Sequence, residues 1–107
     1  MFDTSNVTSI RDMFYDCGNL MSIDLSNFDL KSFNNANPDY PISLFDGCVN
    51  LKTIKAPYTS GKNKIIIQLP ETTFYDQNNP NVNGIEYITN NVERYGYNTL
   101  GITLTRD

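Results

Sequence analysis

Histidine is absent from all 107 residues. Without an imidazole there is no base for a Ser-His-Asp or Cys-His nucleophile and no histidine ligand for zinc. Two cysteines are too few for a four-cysteine metal site. No run of eighteen apolar residues occurs, which excludes a transmembrane helix. Lys and Arg number 8 against 12 Asp and Glu, a net charge of −4. The clustered basic excess of a nucleic-acid footprint is therefore missing too. Alanine and glutamate are scarce, with two and three residues.

What is abundant is short and polar. There are 15 Asn, 10 Thr and 7 Ser, 32 of the 107 residues. Asn, Ser and Asp side chains compete with helical backbone bonds and favour turns and caps, so short elements joined by turns are expected rather than long helices. Thirteen Phe and Tyr residues supply much of a core for one small domain. Residues 1–20 lack the basic start and apolar centre of a signal peptide. The chain is then either cytosolic or one whose Met1 follows a processed or trimmed start.

The first half repeats itself. Phe2-Asp3 returns as Phe28-Asp29. Met13-Phe14-Tyr15-Asp16-Cys17-Gly18-Asn19-Leu20 returns as Leu44-Phe45-Asp46-Gly47-Cys48-Val49-Asn50-Leu51, shifted by 31. The second copy carries an insertion near 34–39. Both copies close alike, Leu20-x-x-Ile23-x-Leu25 against Leu51-x-x-Ile54-x-Ala56. A unit of this length with that closing pattern falls in the leucine-rich-repeat range.

Val7, Ile10, Met13 and Phe14 share one face of a short helix, which Thr4, Ser5 or Asn6 caps and Gly18-Asn19 ends. The next stretch, 20–26, reads as a strand with Ile23 and Leu25 inward and Ser22 and Asp24 outward. The second copy puts Thr53 and Lys55 on the same outward face, and its shorter helix begins at Pro41. Stacking the two strands sets Asp24 beside Lys55 as an opposite-charge pair. Cys17 and Cys48 hold equivalent places, either as a buried thiol ladder or as a disulfide.

These residues carry a resemblance. The run Phe2-Asp3-Thr4-Ser5-Asn6-Val7-Thr8, then Met13-Phe14, Cys17, Leu20 and Ile23-Asp24-Leu25-Ser26-Asn27-Phe28-Asp29 resembles the BspA-like leucine-rich-repeat family of bacterial surface proteins. The second copy departs from that pattern, with Leu30-Lys31-Ser32-Phe33 in place of Thr-Ser-x-Val. The resemblance covers roughly residues 1–57. It implies an α/β right-handed solenoid, an extracellular or cell-surface setting, and adhesion or binding to a protein or matrix ligand rather than catalysis.

Beyond Pro57 the repeat stops. Lys64-Ile65-Ile66-Ile67-Gln68-Leu69 reads as a strand ended by Pro70. Residues 72–75, 85–88 and 100–105 are further short strands, and 76–84 is a loop of turn formers. The loop fails EF-hand spacing because Pro80 stands where a ligand belongs. Asn6-Val7-Thr8 is a glycosylation sequon that reads better as part of a cap.

The expectation is two leucine-rich-repeat coils over 1–58, strand plus short helix in each, closed by a β-rich cap over 59–107. A solenoid of two coils is short of the usual minimum, so the chain reads as the end of a longer protein. The expected function is non-enzymatic binding through Ser22, Asp24, Thr53 and Lys55, with no cofactor, metal, nucleic acid or membrane insertion. The alternative is a structural stalk or capping element of a larger surface protein.

Overall fold

The structure, a computed structural model, describes residues 18–33, 40–70 and 72–107. Along these residues the chain forms β1 (Ser22–Asp24), β2 (Ile42–Ser43), β3 (Thr53–Lys55), β4 (Ile66–Gln68), β5 (Tyr75–Asp76), β6 (Tyr87–Thr89), α1 (Val92–Tyr95) and β7 (Thr103–Thr105). Two small mixed sheets result, β1-β3-β7-β5 and β2-β4-β6. Successive strands alternate between them. The step from β1 to β3 is parallel, as is that from β2 to β4, whereas β6 and β7 join antiparallel to β4 and β3.

This corrects the expected architecture. Among the described residues the chain is mostly β, and it is not a leucine-rich-repeat solenoid with a helix in each coil. The helix expected from Pro41 is instead strand β2, paired with β4 through Ile42↔Ile67 and Ser43↔Gln68. Its length explains the outcome. Only five residues separate Pro41 from Gly47, whose φ of 85° is left-handed. So short a stretch cannot offset the cost of nucleating a helix, and β-branched Ile42 gains more by burial in a sheet. The helix expected over 7–14, Cys17 and the insertion near 34–39 lie outside the described residues.

The parallel register between the two copies follows their alignment: Ser22↔Thr53, Ile23↔Ile54 and Asp24↔Lys55. Period-two alternation sends Ile54 and Ala56 inward, at 0% and 1% exposure, and leaves Lys55 exposed. Ile23, Ile54 and Leu104 form the middle row of the first sheet. Ile42, Ile67 and Ile88 form that of the second. Both rows belong to one apolar core, which also takes in Leu30, Phe45, Leu51, Phe74 and Ile85.

Strands of two or three residues satisfy few backbone groups by themselves, so polar side chains complete the pairing. Thr99, buried, accepts from the Thr89 N–H at 2.7 Å and donates to the Tyr87 carbonyl at 2.8 Å. The Thr89 hydroxyl donates to the Ile65 carbonyl at 2.6 Å. Asn90 Oδ1 accepts from the Ile65 N–H, and Asn63 Nδ2 donates to the Leu30 and Phe33 carbonyls. Arg106 clamps the turn before β3, donating through Nε to Leu51 O and through Nη2 to Val49 O.

Two substitutions separate these contributions. Ile67→Ala should cost about 2–5 kcal/mol, because it removes a fully buried side chain from a packed row. Thr99→Val keeps the shape but orphans the Thr89 N–H, at about 1–3 kcal/mol. Urea unfolding of each variant against the parent chain measures both.

Candidate functional site

The four residues expected to bind lie on one surface. Ser22 and Asp24 of β1 and Lys55 of β3 are exposed, and Thr53 is half-buried. The register brings Ser22 beside Thr53 and Asp24 beside Lys55. Alternation in β7 extends the surface: Leu104 is buried, while Thr103 and Thr105 pair with Lys55 and Thr53. Tyr75 of β5 pairs in turn with Thr105. The outer face of the first sheet thus carries one row of Ser22, Thr53, Thr105 and Tyr75, and a second of Asp24, Lys55 and Thr103. Sequence reasoning missed Thr103 and Thr105, and it did not place Tyr75 on this face. The Thr-Leu-Thr alternation at 103–105 was the signal, since it places both threonines opposite an inward leucine.

The ion pair on this face is loose. Lys55 Nζ stands 3.9 Å from Asp24 Oδ2, and both side chains are more than half exposed. Pairs of that kind are weakened by solvent and salt. Asp24 is held chiefly by its own turn, where Oδ1 accepts from the Ser26 hydroxyl and from the Ser26 N–H at 2.9 Å. These bonds, and more weakly Lys55, pull its carboxyl below the usual carboxylate range. Lys55 accordingly keeps most of its hydrogen-bonding capacity for other groups.

Nearby, Asp29 plays a different part. Its carboxylate accepts from the Ser60 N–H at 3.0 Å, from the Ser60 hydroxyl at 2.7 Å and from the Lys31 N–H at 3.0 Å. It ties the junction between the two copies to the segment just after the second, beside the bridge between Asp29 and Tyr58. The Ser60 N–H above all holds its pKa low.

One cavity lies away from this face. A cavity of about 210 Å³ opens beyond the C-terminal ends of β2 and β4, with Ser43, Asp46, Cys48 and Gln68 among its walls. It is smaller than most small-molecule sites. Among the described residues Asp46 is the one carboxylate that lines it, so the described walls do not gather the two that glycoside chemistry uses. Among the described residues, no three Cys, Asp or Glu side chains converge as metal ligands. Asp76 in the 76–84 loop is occupied within its own turn, accepting from the Asn78 N–H at 3.0 Å. No helix among the described residues is long and apolar enough to cross a membrane.

No family model, curated protein or solved structure matches the chain. The site has to be judged on its own geometry.

A cluster of tyrosines lies at the end of α1. The rings of Tyr87 and Tyr95 are 4.4 Å apart, and Arg94 sits 5.7 Å from the centre of the Tyr95 ring. Burial raises the pKa of Tyr97 and, with the neighbouring Tyr95, that of Tyr87.

These shifts predict falling stability at both ends of the pH range. Asp24 and Asp29 bind protons more weakly when folded, so their contribution is present above about pH 4 and is lost as pH falls through their folded values. Tyr87 and Tyr97 hold their protons more tightly when folded. Above about pH 10 the unfolded state therefore ionises first and stability falls again. Thermal unfolding midpoints measured against pH should fall at both extremes, and Tyr97→Phe should shallow the alkaline limb alone.

Proposed function

We propose that the chain is a non-enzymatic binding module, and that it meets a protein or matrix ligand with the outer face of its first sheet. The carrying observation is the register. Ser22, Asp24, Thr53 and Lys55 come from segments 31 residues apart, yet lie side by side on one exposed surface. Thr103, Thr105 and Tyr75 continue that surface across four strands. A broad array of hydroxyls, one amine and one carboxylate suits a polar macromolecular surface better than a small molecule, which favours concave sites. The cell-surface setting rests on the sequence resemblance of residues 1–57.

A structural reading has one specific observation behind it. Antiparallel β7 covers an edge of β3, and β6 likewise covers an edge of β4. Covered edges are what a capping element supplies to a longer array.

One binding experiment separates the two. The chain is passed over immobilised extracellular-matrix proteins, beside a variant carrying Thr53→Arg and Lys55→Glu. Binding to at least one of them, weakened about tenfold or more in a variant that still folds, supports the module; tenfold corresponds to about 1.4 kcal/mol. Binding to none of them, or equal binding by the variant, leaves the capping element as the better account.

A further inference from the structure

Asn83 is the one asparagine in this sequence followed by glycine. Every other asparagine precedes a residue bearing a Cβ, which at Asn37 and Asn79 is a proline with no N–H. The pair stands at the end of the loop between β5 and β6, immediately before the bridge of Phe74 to Ile85. Both residues are exposed. Gly84 has φ of 72°, and a Cβ built on it would meet nothing within 4 Å. The space beside its Cα is therefore open. The Asn83 amide is held only by long bonds, Nδ2 donating to Asn81 O at 3.2 Å and to Pro80 O at 3.4 Å.

We propose that Asn83 is a site of spontaneous deamidation through a cyclic imide. The Gly84 backbone nitrogen gives its proton to hydroxide and attacks Asn83 Cγ. The new N–Cγ bond forms, the Cγ–Nδ2 bond breaks, and Nδ2 leaves as ammonia after taking a proton from water. Water then opens the imide at one of its two carbonyls. Opening at Cγ yields aspartate, while opening at the backbone carbonyl yields isoaspartate, with the main chain rerouted through the side chain. Water is the only co-reactant and nothing is oxidised or reduced.

The product has a defined neighbour. Asn83 and Gly84 line the same open cleft as Arg106, Thr72 and Thr73, of about 340 Å³. Among the described residues no carboxylate lies within ion-pair distance of Arg106. The new carboxylate enters a cleft whose walls already hold the Arg106 guanidinium, the hydroxyls of Thr72, Thr73 and Tyr75, and the Asp107 carboxylate. The modification therefore changes the charge of this cleft, and its isoaspartate form lengthens the chain leading into Ile85.

Incubation of the folded protein in warm, mildly alkaline buffer, followed by peptide mapping with mass detection, tests this. The expected result is the mass gain of NH2→OH exchange on the peptide carrying Asn83, with aspartate and isoaspartate forms resolved. It should accumulate about tenfold faster there than at any other asparagine, because only Gly84 presents no side chain to the attack. Asn83→Gln should abolish the gain at this peptide. The proposal is overturned if Asn83 in the folded chain stays intact while a peptide of the same loop sequence converts. A mass gain spread evenly over the asparagines overturns it as well.

Discussion

Ile54 lies between Ile23 on one side and Leu104 on the other, with none of its surface exposed. This row couples the parallel half of the first sheet to its antiparallel half. The inward placement of Ile54 fixes the outward placement of Thr53 and Lys55. A slip of one residue would turn the apolar row to solvent and bury the lysine, so the register is strongly specified. The second sheet has the same design around Ile67, between Ile42 and Ile88. Core and candidate surface are two sides of one constraint.

The shortness of the strands sets the second requirement. Two or three residues per strand leave much of the backbone without ladder partners. The abundance of Asn and Thr follows from this. Asn63 and Asn90 act in the gaps where the main chain turns, with Asn90 Nδ2 donating to the Asn63 carbonyl at 3.0 Å. Thr89 and Thr99 do the same inside the protein. Among the described residues no buried side-chain nitrogen or oxygen is left without a partner. The composition that argues against long helices is thus the composition that very short strands need.

Much of the sheet face was legible because period-two alternation and the 31-residue offset are strong local signals. Ile23, Leu25, Ile54 and Ala56 declared themselves as inward, and the neighbour of Asp24 followed from the alignment. The helix expected from Pro41 was misread because family resemblance outweighed local length. Pro41 and Gly47 lie too close together, and Ile42 pairs with a strand 25 residues further on, a contact no local pattern contains. That Thr103, Thr105 and Tyr75 join this face was not legible for a related reason: β7 and β5 run in at positions set by tertiary packing, not by the repeat. Helix α1, with Asn91 Oδ1 accepting from the Arg94 N–H, is only four residues long and carries no apolar periodicity to read.

The binding surface inherits its shape from this architecture, since a sheet built around buried isoleucines must turn polar residues outward. The central claim is therefore structural: two sheets, each a parallel pair, β1 with β3 and β2 with β4, extended by antiparallel strands. Proton–proton contacts measured by nuclear Overhauser spectroscopy test it most directly. The account predicts contacts between Ile23 and Ile54, Ile42 and Ile67, and Ile54 and Leu104, with extended backbone through Ile42 and Ser43. Helical contacts running from Ile42 to Cys48, with none between Ile42 and Ile67, would contradict it.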